Sequence, residues 1–408
     1  MPVSEDSIDN TLRVLYVHHV GVFGGASRSL LELIHSFPRN AVKPHLIAPP
    51  GAVARLARGA GIAVIESAGI AQFDHTRIGH YRGLRWLLLT REIAYLLPTL
   101  IALVRAKRCW PVIDLVHIND ATLVPVIILA PLLFRCPMVL HVRAVQHPGF
   151  WLLRSRLLHR ILRRVNAVVA IDKTVRRSLP QDIPCEVIHN GLNATVSERT
   201  PRAPSSPLRI GMVGNLLPMK GVSEFIDAIR LCKARGLNVK FVIYGGNTRK
   251  LSGLVGWLLK AMGFARDMER EVREAVERDR LESMVELPGF NHDLDLIYRS
   301  IDVLCFPSQL DAPGRPVFEA AFWGVPSIVA IKHPQPDSLV PGETGIAIDA
   351  GSSTAIADAI EFFCRTPSNI ERMGDNARRL AEKYYNSRNN AAQIWQLYRR
   401  ILKLSTGT

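Results

Sequence analysis

Cysteine is scarce in this sequence. The six cysteines (Cys109, Cys136, Cys185, Cys232, Cys305 and Cys364) are scattered, with no C-x-x-C pair and no neighbouring histidine cluster. That excludes a disulfide framework and a spaced zinc site, and reads as reduced, mostly buried thiols. Long apolar runs are missing too. A spanning helix needs about 20 apolar residues; the best window, Trp86 to Val104, is broken by Arg91, Glu92 and Pro98, and the run 121–134 is too short. The acidic, polar start MPVSEDSIDNTLR lacks the character of a signal peptide. The expectation is a cytoplasmic chain that can lie on the inner face of a membrane. Aromatic residues make up 7% and no nucleic-acid-binding module is recognisable, so no nucleic acid partner is expected. Neither G-x-G-x-x-G nor G-x-x-x-x-G-K-[ST] occurs, which removes the best support for dinucleotide and Walker-type sites.

Acidic residues are outnumbered, 36 against 51 basic ones, for a formal net charge of +15. The surplus is uneven: residues 1–200 carry 24 basic and 13 acidic side chains, residues 201–408 carry 27 and 23. Different partners for the two halves follow from that asymmetry. With 408 residues, 48% of them hydrophobic, the chain is long enough for two or three domains with their own cores. Short β-branched runs at 12–17, 43–48, 115–118, 138–142, 167–171 and 186–190 have strand length and little alternation, as parallel strands buried on both faces do. Segments of helical period lie between them at 27–37, 84–107 and 151–165. The tract SERTPRAPSSPL then interrupts the pattern, and strand-like runs resume at 208–213, 239–244, 285–290, 303–308 and 326–330. This predicts an α/β protein of two doubly wound domains with a cleft between them: 1–197, a linker at 198–207, and 208–385. Residues 386–408 end the chain as a helix whose stripe is Ile394, Leu397, Tyr398, Ile401 and Leu402.

Three strand-to-helix junctions carry candidate chemistry. The first strand runs into Gly21-Val22-Phe23-Gly24-Gly25-Ala26-Ser27, where glycines let a ligand approach the backbone and the following helix favours an anion. The second half opens likewise with Gly214-Asn215-Leu216-Leu217-Pro218-Met219-Lys220-Gly221, placing a lysine before a helix, where it can neutralise a phosphate that the helix amides also hold. After the run 303–308 comes Asp311-Ala312-Pro313-Gly314-Arg315-Pro316-Val317-Phe318-Glu319, a turn and helix start bracketed by two carboxylates. Glu319 lies among apolar residues, so it is either a partly exposed helix glutamate or a buried carboxylate that needs a partner such as a hydroxyl pair. His292-Asp293-Leu294-Asp295 contains D-x-D, but it opens a helix, where aspartates act as caps. No metal is predicted.

In their order and spacing, G-G-A near residue 25, VIHNGLN before the linker, G-N-L-x-x-x-K-G, D-x7-E and G-V-P resemble the retaining GT-B glycosyltransferases of family four, over nearly the whole chain. The resemblance implies two Rossmann-like domains, acceptor-side then donor-side, with the last helix crossing back to the first. It implies transfer of a sugar from a nucleotide diphospho-sugar, with retention of anomeric configuration and without metal or other cofactor. Gly24 and Gly25 match the glycine loop that closes over the donor phosphates, and Lys220 the lysine that contacts the diphosphate. Asp311 and Glu319 match the paired acids, the first at the donor sugar and the second at the ribose hydroxyls. Ala312, Pro313, Gly314, Arg315, Pro316 and Val317 match the loop whose amides touch sugar and phosphate, and Asn215, Gly221 and Gly245 join them as donor-binding positions. On the acceptor side stand His117, Asn119 and His141, with Arg143 as a further catalytic candidate.

Three positions depart from the family pattern. Asn215 stands where an arginine is usual, Asp311 replaces a glutamate, and Arg143 stands where many members have a histidine. They motivate an alternative, a GT-B scaffold that binds nucleotide-sugar or a partner without turnover. Most of the basic surplus falls at 77–108 and 143–177, in apolar, helix-period surroundings. Such segments suit an anionic membrane surface, and with it a lipid-linked or envelope saccharide as acceptor. The apolar, basic segment 248–263 reads as an insertion.

Overall fold

Contacts divide the chain into two units, Met1–Asn193 with Tyr385–Thr408, and Ala194–Tyr384. The structure is a computed structural model that describes residues 11–77, 79, 81, 83–147, 152–193, 204–246 and 266–405. Most of the expected linker, the 248–263 segment and Trp151 lie outside the described residues.

The first unit is built on seven parallel strands in the order β3-β2-β1-β4-β5-β6-β7. These are β1 (Leu12–Val17), β2 (Val42–Ala48), β3 (Ala63–Glu66), β4 (Leu115–Ile118), β5 (Met138–Val142), β6 (Ala167–Ala170) and β7 (Cys185–Val187). β4 and β5 are buried at every residue, as their mostly apolar, non-alternating character suits strands covered on both faces. The covering helices are α1 (Gly25–Ser36), α2 (Ala52–Gly59), α3 (Leu88–Ala94), α4 (Leu96–Cys109), α5 (Val124–Leu133), α6 (Leu152–Leu162) and α7 (Lys173–Arg177). The helical stretch expected over 84–107 is divided: a 3-10 turn at Gly83–Leu87 precedes α3, and Tyr95 separates α3 from α4. Pro98 explains the break. It has no N–H to give to a preceding turn, and it sits in the first turn of α4, where none is needed.

The second unit has six parallel strands in the order β10-β9-β8-β11-β12-β13. They are β8 (Leu208–Val213), β9 (Val239–Tyr244), β10 (Val285–Gly289), β11 (Val303–Phe306), β12 (Ser327–Ala330) and β13 (Gly345–Ile348). Its helices are α8 (Val222–Ala234), α9 (Met268–Arg278), α10 (Leu294–Arg299), α11 (Arg315–Phe322), α12 (Ser353–Arg365) and α13 (Ser368–Tyr384). Both sheets are doubly wound, and each reverses direction beside its first strand, at β1/β4 and at β8/β11. Ligands of such sheets sit outside the carboxyl ends of the strands at that reversal.

The final helix, α14 (Ser387–Ser405), belongs to the first unit. Its stripe of Ile394, Leu397, Tyr398 and Ile401 is buried with Val14, Tyr16, Leu30 and Leu31 in one apolar cluster. Ile394 is 1% exposed. Ile394→Val removes one methylene from this contact and is expected to lower unfolding free energy by about 1 kcal/mol, read as a shifted urea midpoint at unchanged slope.

Candidate functional site

In the second unit the loops that follow β8 and β11 flank the point of reversal. After β8 the chain passes Asn215, makes a 3-10 turn at Pro218–Lys220, and enters α8 through Gly221. Gly221 is left-handed, with φ of +75°, and a Cβ there would collide with the carbonyl oxygen of Pro307. A side chain at 221 would therefore push the β8 loop and the β11 loop apart. Gly245, at the end of β9, donates its N–H to the carbonyl of Gly289 at 3.0 Å.

Phe306, the last residue of β11, joins the two motifs. Lys220 Nζ lies 5.1 Å from its ring centroid, and a Cβ on Gly314 would collide with the same ring. Gly314 caps α11 with extended backbone and no side-chain cap, and Pro316 occupies the first turn. Lys220 has no ion-pair partner among the described residues, and burial holds its pKa below the ordinary lysine value. A desolvated ammonium beside the amino ends of α8 and α11 is suited to hold a phosphate group.

Glu319 is 4% exposed, so it is not a partly exposed helix glutamate. Its carboxylate accepts from Arg315 Nε at 2.5 Å and from the Tyr298 hydroxyl at 2.9 Å. The partners of this buried acid are therefore a guanidinium and a phenol of the protein itself. Arg315 also lies over the Phe318 ring, 5.3 Å from its centroid. Asp311 has a left-handed φ of +51°, a region that aspartate tolerates better than most residues, and its carboxylate accepts from the Lys332 amide at 2.7 Å. Ala312, Pro313 and Arg315 are half-buried beside it, and Val317 is buried. Asp293 caps α10 by accepting from the amides of Asp295 and Leu296, while Asp295 binds Trp323 and Arg299.

The first unit holds a buried polar network at the ends of β1, β4 and β5. His18 Nδ1 accepts from Asn119 Nδ2 at 2.9 Å, which leaves the His18 proton on Nε2, facing Ser27 Oγ at 2.9 Å. Arg143 donates to Asn119 Oδ1 at 2.7 Å and to Asn190 Oδ1 at 2.5 Å, and its third contact is His141 Nδ1 at 3.4 Å. His117 Nδ1 meets the Tyr398 hydroxyl of α14 at 2.6 Å. Burial, then the positive charge of Arg143, keeps His117 neutral with its pKa pushed down to about 3. Burial does the same to His18 and His141, holding both well below the usual histidine range. His117 and Asn119 are fully enclosed, while His141 and Arg143 line a small pocket with Ser29, Asn190, Ser387 and Asn390. Gly24 and Gly25 start α1, the former as its extended N-cap.

Sequence reasoning gave no role to Tyr298, Phe306 or Asn190. Tyr298, near the end of α10, and Phe306, the last residue of β11, are buried aromatics in apolar surroundings, which read as core. Asn190 was visible only as part of VIHNGLN.

Residues 23–196 match Glycosyltransferase Family 4, and residues 195–380 match Glycosyl transferases group 1. The capsular polysaccharide biosynthesis glycosyltransferase CapM of Staphylococcus aureus is 26% identical over 203 residues, covering 48% of this chain and 47% of that protein. The D-inositol 3-phosphate glycosyltransferase of Corynebacterium glutamicum (strain R) is 27% identical over 211 residues, 50% and 47% of the two chains. The chain thus spans about half the length of the curated relatives it matches. Among solved structures, Anabaena Alr3699/HepE in complex with UDP-glucose superposes with a TM-score of 0.70 at 19% identity, covering 95% of this chain and 100% of that one. The fold, two doubly wound units in succession, is of the GT-B class. With both of its units matched, the chain belongs to the family four, group 1 glycosyltransferases.

Proposed function

We propose that this protein transfers a sugar from a nucleotide diphospho-sugar to a saccharide or lipid-linked acceptor of polysaccharide or envelope assembly, with retention of anomeric configuration. The observation that carries the reading is Lys220: a desolvated ammonium without an ion-pair partner among the described residues, set between two helix starts at the reversal of the second sheet. A diphosphate is the ligand that such a group lacks. The naming of UDP-glucose in the HepE complex, and of polysaccharide biosynthesis for CapM, agrees in chemical class.

In this reading the second unit binds the donor. Lys220 takes the diphosphate, and the amides from Ala312 to Val317 take the sugar and phosphate oxygens. These groups offset the negative charge that builds on the departing diphosphate as the glycosidic bond breaks. Asp311 faces the sugar, and its link to the Lys332 amide fixes the loop that carries it. Glu319 receives the ribose hydroxyls, since a carboxylate oxygen accepts more than one hydrogen bond and can keep Tyr298 while it does so. The first unit takes the acceptor beside Arg143 and His141, whose neutral imidazole accepts rather than donates at Nδ1. Lys220 supplies the positive charge that a metal would otherwise bring, so a chelator is expected to leave turnover unchanged.

The anchoring of Asp311 and the pairing of Glu319 with Arg315 favour one second reading, a scaffold that holds nucleotide-sugar without turnover. Thermal unfolding with UDP, GDP and ADP, followed by a donor panel assayed for released nucleotide with and without acceptor, separates the two. A nucleotide at a hundredfold excess over its Kd is expected to add about 2.7 kcal/mol of stability. Acceptor-dependent nucleotide release supports the transferase; stabilisation without release supports the scaffold; neither effect overturns both.

A further inference from the structure

We propose that the outward face of the 3-10 turn 83–87, α3, α4 and α5 docks on a lipid bilayer rich in anionic phospholipid. The lipid-linked acceptor would be met there, and that part alone rests on the function proposed above.

The two sides of α4 differ in what they meet. Thr99, Ala102, Leu103 and Ala106 face inward and are buried, which satisfies the core. The opposite side of a surface helix is ordinarily polar. Here it carries Leu97, Leu100 and Ile101, at one-turn spacing, with Leu97 64% exposed. Ile93 of α3 and Leu132 of α5 are exposed as well, at 58% and 76%, and both helices pack on α4. Trp86 and Leu87 extend the face from the 3-10 turn. Of the fifteen large hydrophobic residues that stand exposed among those described, ten lie between Trp86 and Leu132. A concentration of that kind marks a contact surface rather than chance.

Charge identifies the partner. Arg105, Lys107 and Arg108 are exposed at the end of α4, and Arg135 follows α5. The sole acid between Arg77 and Ile113 is Glu92, which is 3% exposed and bonded to Arg91 and to the Gln72 amide. Of the next two, Asp114 is paired with Arg13 and Asp120 is buried. An apolar centre with a cationic rim and no outward acid matches the boundary between acyl chains and anionic headgroups. A second copy of the chain fits poorly, because a two-fold contact would set this cationic rim against itself. Among the described residues no helix is long and apolar enough to cross a membrane, so the contact is interfacial.

The structure also separates the two basic segments that sequence left equivalent. On α6, Leu158, Ile161 and Leu162 are buried, while Arg156 and Arg160, with Arg163 and Arg164 just past its end, are exposed, and Arg163 is paired to Asp182. From Arg156 onward that segment offers charge without an apolar face to insert.

The test is sedimentation of the full chain with vesicles of phosphatidylglycerol and phosphatidylethanolamine, and with phosphatidylcholine vesicles as comparison. Wild type is expected to pellet with the anionic vesicles and to keep part of that binding at high salt. L97S/I101S, whose positions are exposed, is expected to bind at least about tenfold more weakly at either salt. R105Q/R108Q is expected to lose about tenfold at low salt only. Undiminished binding of L97S/I101S overturns the proposal, as does loss confined to variants of the α6 arginines. A wild type that dimerises through this face and ignores vesicles overturns it too. Thermal unfolding and nucleotide release with a water-soluble saccharide acceptor are measured on the same samples. Normal pelleting with neither nucleotide-induced stabilisation nor release counts against the proposed function, not the docking face.

Discussion

Lys220→Ala is expected to lower kcat/KM for sugar transfer about a hundred- to a thousandfold while leaving the unfolding midpoint close to wild type. The two halves of that expectation have one cause. Lys220 has no ion-pair partner among the described residues, so removing it breaks no ion pair of the fold; it lies desolvated over Phe306, so its charge is available to a ligand. The low local dielectric makes such a charge count for more against a developing anion than it would in water. pH provides the second readout. Burial lowers the Lys220 pKa, so its charge is lost on the alkaline side earlier than the usual lysine value of about 10.4. The charged form is the one that serves the diphosphate, so kcat/KM must fall as pH rises through that lowered value. In the donor complex the neighbouring diphosphate holds the proton, and the limb in kcat moves to higher pH. Lys220→Gln is expected to be slow and to lack the alkaline limb. A rate near wild type in either variant removes Lys220 from the site.

Glu319→Gln is expected to cost about 3 kcal/mol of unfolding free energy, read from urea denaturation. The pair it breaks is almost dry: the Arg315 and Glu319 side chains are 11% and 5% exposed. Removing one partner leaves a buried charge without its counter-ion, and the Phe318 ring offsets only part of that loss. Replacing both partners by apolar groups removes the desolvation cost along with the attraction. Arg315→Met/Glu319→Met is therefore expected to regain most of the stability. The double variant separates structure from function: it should fold well and still fail to bind donor, if Glu319 serves the ribose. Normal donor affinity in the double variant confines Glu319 to a structural role.

The parallel sheets were legible because their central strands are covered on both faces, and burial on both faces leaves mostly apolar runs with little alternation, such as MVLHV and VLCF. The two strands not read from sequence, β3 and β13, are both at sheet edges, four residues long and only half-buried. An edge needs less apolar character, and so it leaves less of a pattern. The site divides in the same way. Lys220, Gly221 and Gly314 stood out as candidates through the order and spacing of the motifs around them, since a lysine at a helix start is common by itself. What touches them did not. The Tyr298 hydroxyl reaches Glu319 across 21 positions, and Tyr398 reaches His117 across 281. Nothing local to a buried tyrosine announces which distant group its hydroxyl will meet.

The place of α14 bears on how the protein is made. The second unit is one continuous stretch, Ala194–Tyr384, and its chain is complete before α14 is synthesised. The first unit, though begun first, cannot complete one of its apolar clusters until Ile394, Leu397 and Tyr398 emerge from the ribosome. The usual order of assembly, amino-terminal domain first, is thereby reversed. Until α14 arrives, the half-made first unit leaves Val14, Tyr16 and Leu30 without its cover and the His117 imidazole without the Tyr398 hydroxyl. Nascent chains stalled before α14 should depend on chaperones, and a stop codon in its place should cost the first unit and spare the second.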